Sequence, residues 1–221
     1  GKYSSEIDMF GPYLLNEPLL DQSLPEKIKL AKKNGLTTYI ATNGTLLSTK
    51  NIQALFDSGL DQLVVSIDSI IPEVQEKIRV GSNFDSLQKN IENLFMLKKE
   101  SKNSPLIIMR QLSFSENKDE HENYVNYWMK KGADSVVIDI AHNWGGKFSE
   151  INSELVGMNV CKQLWEMFVI QSDGNVCLCC LDSAGEFSLG NVKEQSIYDI
   201  WHGEKFNLIR KQFLEKQLDK C

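Results

Sequence analysis

No stretch of the 221 residues stays apolar over the roughly 18 positions that a membrane-spanning helix needs, which excludes a helical membrane protein. The first residues mix polar and charged side chains, so a secretory leader is not expected either. Basic residues are not in excess: 24 Lys and Arg stand against 30 Asp and Glu, interspersed, for a net charge of −6. A nucleic-acid partner would need a basic patch or stripe, and none is present. The one dense charge run, Lys98-Lys99-Glu100-Ser101-Lys102, reads as a solvated helix end. No glycine-rich phosphate fingerprint follows the first strand, which argues against a dinucleotide fold. There is no low-complexity segment and no repeat beyond a recurring strand–helix unit. Cysteine is missing from the first 160 residues altogether.

The five cysteines crowd into the last third, where Cys161, Gly174 and Cys179 form C-x12-G-x4-C, with Cys177, Cys180 and Cys221 beside them. An odd number of clustered thiols does not make a disulfide framework, which spreads its cysteines through a short secreted chain. Thiolates grouped around a glycine turn suit iron–sulfur or zinc ligation, and reduced thiols point to the cytoplasm. A zinc set would draw on Cys161, Cys179, Cys180 and His202, although neighbours on a strand such as Cys179 and Cys180 point to opposite faces. Cys177 and Cys180 are also small enough to be simple packing residues.

Upstream, strand and helix patterns alternate. Apolar residues 7–15 lead to Asn16-Glu17; a helix over 24–34 stops at Gly35; Thr38–Ala41 form a strand ending at Thr42-Asn43-Gly44. Ser48 caps a helix that Gly59 ends, and Leu63–Ile67 is a continuous apolar run of the buried parallel type. Helices over 72–79 and 84–100, a strand over 106–109, a helix over 118–131 and a strand over 135–140 complete the series. About five strands joined by helical crossovers predict an α/β parallel sheet, either doubly wound or curved as part of a barrel. Polar residues gather where strands end: Glu17, Asn43, Asp68, Asn117 and His142. Parallel sheets place their chemistry at that edge, and a curved sheet with its site there is the preferred reading.

After Ile140 the pattern changes, and the domain boundary is set at 1–146 against 147–221. Met167–Gln171 and Asn175–Cys179 read as a hairpin around Ser172-Asp173-Gly174. Alternation along its second strand puts Cys177 and Cys179 on one face, with Val176, Leu178 and Cys180 on the other. Two helices, 196–202 and 204–218, close the chain with apolar packing stripes.

Taken in order, Asn16-Glu17-Pro18-Leu19-Leu20, Thr42-Asn43-Gly44, Ser66-Ile67-Asp68, Ile78-Arg79-Val80-Gly81, C-x12-G-x4-C and Leu189-Gly190-Asn191-Val192 with Ile200-Trp201 resemble the radical S-adenosylmethionine enzymes that carry a C-terminal SPASM domain. The resemblance covers nearly the whole chain. It implies a partial (βα) barrel followed by a truncated SPASM domain, with S-adenosylmethionine and [4Fe–4S] clusters as cofactors. It implies that Glu17 accepts hydrogen bonds from the methionyl ammonium, that Ser66 and Asp68 meet the ribose or methionyl part, and that Asn43 and Arg79 are further cofactor contacts. Cys161 and Cys179 would ligate an auxiliary cluster, and Cys221 an auxiliary cluster too. His142, Asn143 and Trp144 are implied substrate-facing residues.

The implied reaction is hydrogen abstraction by a 5′-deoxyadenosyl radical from a peptide, a protein or a small molecule. The implied electron donor is a flavodoxin or a ferredoxin, and the implied location is cytoplasmic. The sequence departs from the family at three points: Leu15-Asn16 stand where Gly-Gly is usual, no C-x3-C-x2-C occurs, and no cysteine follows Cys221. The chain is therefore expected to be a fragment that is inactive by itself. A non-catalytic scaffold relative and a zinc-stabilised α/β protein are the competing expectations.

Overall fold

The computed structural model describes residues 6–140, 162–182 and 184–215, and these divide into two compact units, within Gly1–Ile140 and Ala141–Cys221. The first unit is one parallel sheet of five strands in sequential order, β1 (Met9–Phe10), β2 (Thr37–Thr42), β3 (Gln62–Ser66), β4 (Leu106–Ser113) and β5 (Ser135–Ile140). Pairing is parallel throughout, with Ala41 opposite Val64, Val64 opposite Ile108, and Ser66 opposite Arg110. The connections are α1 (Leu24–Lys33), α2 (Thr49–Ser58), α3 (Pro72–Ile78) with α4 (Phe84–Glu100), and α5 (His121–Lys131).

Local sequence accounts for most of these boundaries. Ser48 Oγ accepts the Asn51 amide at the start of α2, and Gly59, left-handed with φ 76°, ends it. Asn83 caps α4 in the same way through Ser86. Three boundaries differ from the sequence expectation. β1 pairs over two residues only, because Pro12 has no amide to extend the ladder. The segment expected as a helix from Lys118 begins as a 3-10 turn, Lys118–Glu120, and becomes α-helical at His121. β4 runs on to Ser113.

Burial along the strands decides between the two sheet architectures. Thr38, Ile40 and Thr42 of β2, Leu63 and Val65 of β3, and Ile107, Met109 and Gln111 of β4 are buried, and the residues between them are half-exposed. The core holds Leu24 and Ile28 of α1, Ile52, Leu55 and Phe56 of α2, Leu87, Ile91 and Leu94 of α4, and Tyr124 and Trp128 of α5. The crossover helices α1, α2, α4 and α5 thus bury their stripes against one face, each large side chain contributing about 1.5–3 kcal/mol. A doubly wound sheet has both faces covered; a sheet covered on one face is a segment of a barrel wall. Asp61 ties the amino edge together, accepting from Thr38 N at 2.7 Å, Thr38 Oγ1 at 3.0 Å and Lys32 Nζ at 2.6 Å. Burial pushes its carboxyl up, but the bonds from Lys32 and Thr38 outweigh this and leave it below the usual carboxylate range.

The second unit is an antiparallel sheet of three strands, β6 (Val169–Ile170), β7 (Asn175–Cys177) and β8 (Gly190–Asn191), with α6 (Gln163–Glu166), α7 (Ile197–Trp201) and α8 (Glu204–Leu214). Its core is Leu164, Val176, Leu178, Leu189, Ile200 and Phe206. The third strand was not anticipated. β7 also ends at Cys177, so the expected alternation does not reach Cys179 and Cys180. The physical cause is Asp182: its carboxylate accepts the amides of Leu178, Glu186 and Phe187, and its own amide bonds Cys179 O, turning the chain out of the sheet. The guanidinium of Arg210 stacks on Trp201 at 4.2 Å and Phe206 at 4.7 Å and donates to Leu164 O and Trp201 O, locking α8 against α6 and α7. No helix among the described residues is long and apolar enough to cross a membrane.

Candidate functional site

At the carboxyl edge of the first sheet the chain exposes polar groups in a fixed arrangement. Leaving β1, it forms a 3-10 turn over Pro18–Leu20 whose N-cap is Glu17. Glu17 Oε1 accepts from Leu19 N at 3.2 Å and from Thr42 Oγ1 at 2.7 Å, and Oε2 accepts from Asn43 N at 2.9 Å. A carboxylate has about four acceptor positions, so three are used and one remains on Oε2 for an incoming donor. Asn43 Oδ1 closes a tight turn on Thr45 N and Oγ1 at 2.9 and 2.6 Å. Gly44 stands at φ 80°, and a Cβ there would come within 2.8 Å of Leu87, so the turn needs glycine twice over.

The end of β3 is tied down more heavily. Asp68 is 2% exposed; its Oδ1 accepts Leu112 N at 2.9 Å and its Oδ2 accepts Arg79 Nε at 2.7 Å. Its carbonyl accepts Gln111 Nε2 at 2.8 Å and Asn117 Nδ2 at 2.6 Å. The amides of Asp68 and Ser69 both bond Gln75 Oε1. Beneath them the Tyr124 hydroxyl donates to Ile67 O, and burial, with the charge of Asp68 nearby, holds that hydroxyl far above the ordinary tyrosine range. Asn43, Gln75, Arg79 and Ser82 line a cleft of about 230 Å³.

The structure therefore brings Glu17, Asn43, Asp68 and Arg79 to one edge. Glu17 bonds the amide of cleft-lining Asn43, and Asp68, buried with one bond on each oxygen, reaches the cleft through Arg79. Ser66 lies on the half-exposed face opposite the helices, in register with Arg110. Arg110 Nε bonds Asp139 Oδ2 at 2.5 Å on that face. Sequence reasoning missed Gln75, Arg110 and Asp139; no local pattern marks them, because their partners come from other elements. His142, Asn143 and Trp144 lie outside the described residues.

These groups fit the ammonium and carboxylate of an α-amino acid such as the methionyl end of S-adenosylmethionine. Glu17 supplies the anion an ammonium needs, and Arg79 supplies a fixed cation.

In the second unit Cys161 and Cys221 lie outside the described residues. Cys177 is fully buried, and burial, reinforced by the charge of Asp182, pushes its thiol up to about 11, as a packing cysteine requires. Cys179 is half-buried on the turn that Asp182 shapes, and Cys180 donates to Gln163 Oε1 at 3.4 Å. Gly174 takes φ 91°, and a Cβ there would meet Asn191 Oδ1 at 2.7 Å, which explains the glycine between the outer cysteines. Cys179 is open enough to act as a soft thiolate ligand, whereas the enclosed Cys177 is not. No group of three or more metal-ligating side chains converges among the described residues. His202 rests on Tyr198 with ring centroids 4.3 Å apart, and Cys161 of the zinc set in the sequence reading lies outside the described residues.

Comparison with known proteins gives two family matches: the radical SAM superfamily over residues 13–119, and SPASM, an iron–sulfur cluster-binding domain, over residues 161–221. A probable GTP 3′,8-cyclase of Methanococcus maripaludis is 42% identical over 76 residues, 34% of this chain and 26% of that protein. A Pyrococcus furiosus protein described as modifying the cofactor of a tungsten-containing aldehyde ferredoxin oxidoreductase is 23% identical across 94% of this chain and 71% of its own length. The chain thus spans about a quarter of the curated cyclase. Among solved structures, BtrN in complex with AdoMet and 2-DOIA superposes with a TM-score of 0.62 at 22% identity, covering 100% of this chain and 74% of that one. Streptococcus suis SuiB bound to S-adenosylmethionine gives 0.71 at 12% identity, covering 91% and 56%. anSMEcpe with bound AdoMet gives 0.70 at 17% identity, covering 96% and 68%. These likenesses establish a partial barrel with a SPASM part.

Proposed function

Because this chain belongs to the radical S-adenosylmethionine superfamily and carries a SPASM iron–sulfur domain, we propose that it is the cofactor-binding portion of an enzyme that removes a hydrogen atom from a peptide, a protein or a small molecule. The observation that carries this reading is the convergence of Glu17, Asn43 and the Asp68–Arg79 pair at the carboxyl edge of a sheet covered on one face. When bound, S-adenosylmethionine and reduced iron–sulfur clusters supply the one-electron, hydrogen-abstracting chemistry.

The chain's own residues do the rest. Glu17 would hold the ammonium through its free acceptor position, and Thr42 with the Asn43 amide keeps that carboxylate aimed. Asp68 fixes Arg79 through Nε, so the guanidinium meets a ligand pre-oriented. Ser66, Arg110 and Asp139 make a polar layer on the open face where substrate lies. Cys179, with Cys161 and Cys221, would ligate auxiliary clusters, which would supply one-electron chemistry or a binding site for substrate. A maturase or oxidoreductase role, a flavodoxin or ferredoxin as electron donor, and a cytoplasmic location fit the cluster chemistry.

The neighbours cover both substrate classes, since SuiB is described with a precursor peptide and BtrN with 2-DOIA. The test is an anaerobic assay of the intact, cluster-loaded protein with S-adenosylmethionine and a strong reductant. 5′-Deoxyadenosine should form and should rise with a peptide or a small-molecule substrate. The 221-residue chain contains no C-x3-C-x2-C and should form none by itself. An intact, cluster-loaded protein that releases no deoxyadenosine would overturn this reading in favour of a binding scaffold.

A further inference from the structure

Two buried polar atoms beside the cleft have no partner in the protein: Gln75 Nε2 and Ser82 Oγ. Both residues line the same cleft, although the exposure of Gln75 is 0%. Native proteins rarely leave such atoms unbonded, and two at one cleft indicate a ligand group that completes them.

The orientation of the Gln75 carboxamide is fixed by its surroundings. Two amide donors, Asp68 N at 2.9 Å and Ser69 N at 3.0 Å, converge on one of its atoms, so that atom is the oxygen and the other end is the NH2. At this fully buried position beside Asp68 the carboxamide receives both amides without the desolvation and like-charge cost of a second carboxylate. What glutamine adds is a donor. The lining of the cleft contains Arg79 and no carboxylate, so Gln75, Ser82 and Arg79 together present donors and positive charge.

We infer that Gln75 holds the Asp68–Ser69 turn, and through it the Asp68–Arg79 pair, and that with Ser82 it donates hydrogen bonds to an acceptor-rich, anionic group of the bound ligand. The inference rests on the reading of this edge as the S-adenosylmethionine site. The class of group is a carboxylate, because the donors sit beside the guanidinium while Glu17 faces the ammonium. Gln75 is thus a positioning residue through its oxygen and a ligand contact through its nitrogen.

Three variants of the intact, cluster-loaded protein separate these roles, read by anaerobic calorimetric titration with S-adenosylmethionine and by hydrogen exchange at the Asp68 and Ser69 amides. Gln75→Glu keeps the acceptor, removes the donor and sets a negative charge against the ligand carboxylate. Exchange should therefore stay slow while Kd rises at least about tenfold, with the melting temperature taken alongside to report the cost of the buried charge. Gln75→Met removes both, so exchange should quicken and Kd rise further. Ser82→Ala removes only an unpartnered hydroxyl and should raise Kd about three- to tenfold at unchanged melting temperature, which keeps the claim testable if the Gln75 variants fold poorly.

Parental Kd, within twofold, in both Gln75→Glu and Ser82→Ala overturns the donor role. Unchanged amide exchange in Gln75→Met overturns the positioning role. If the parent protein binds no S-adenosylmethionine, the cofactor reading and the donor role fall together, while the exchange result still decides the positioning role.

Discussion

The two units contrast in what holds them together. The first buries twenty apolar side chains in one cluster and welds its strand ends with bonds such as Asp61 to Thr38 and Asp68 to Leu112. Among the described residues the second unit gathers six buried apolar side chains in one cluster, and it leans on a carboxylate that gathers three amides and on an arginine stacked on two neighbouring rings. Small domains gain little net stability from their cores and are commonly stapled by a metal or by disulfides. The cysteines of the chain all fall in this second region, and those described are free thiols. The difference teaches that cluster ligation in the second unit is as much a folding interaction as a redox one, whereas the cofactor edge of the first unit is built on a core that stands without it.

The comparison can be broken most severely by removing the metal. Stripping iron from the intact protein, or Cys179→Ser, should abolish hydrogen-exchange protection across residues 162–215 and leave residues 6–140 protected. Equal loss in both regions would contradict it. Next in size is Asp182→Ala, which orphans the Leu178, Glu186 and Phe187 amides and should cost the second unit about 2–4 kcal/mol in denaturant unfolding.

Asp61→Asn is the matching change in the first unit, with an expected cost of about 1–3 kcal/mol. The Asp61 carboxyl lies below its unfolded value, so its contribution is complete above about pH 4 and is lost as pH falls through the lowered folded value. The Asn variant should therefore lose part of the parent's acid sensitivity in that window. Smallest are the two serine caps. Ser48→Ala and Ser196→Ala remove like bonds, to Asn51 N and Asp199 N, and should each cost about 1 kcal/mol. Ser48→Ala should leave the first unit's unfolding cooperative, while Ser196→Ala should visibly broaden that of the second.

How much of this the sequence discloses follows the range of the interactions. Ser48, Gly59, the apolar run ending at Ser66 and the turn at Gly174 act within a few residues, and each stands where the pattern places it. One-sided burial was not legible: Leu63–Ile67 reads as a continuous apolar run, and only the fold shows alternate residues of β2 and β3 half-exposed. β8 was not legible: two residues, Gly190 and Asn191, carry no strand signal and pair only because β7 is already there. Gln75 escaped notice because its meaning lies in two amides on another element and in an atom with no bond at all. The resemblance implied a ligand contact for Asp68, and only the fold reveals that Leu112 and Arg79 each bond one of its oxygens.

The central claim is that the carboxyl edge of the one-sided sheet holds the cofactor, with Glu17 as the anion that meets its ammonium. The most direct test is anaerobic titration of S-adenosylmethionine into the intact, cluster-loaded protein and its Glu17→Gln variant, with melting temperatures taken alongside. A rise in Kd of roughly 10- to 100-fold, as loss of a charge-assisted bond entails, is the predicted result. An unchanged Kd in a folded Glu17→Gln protein would contradict it.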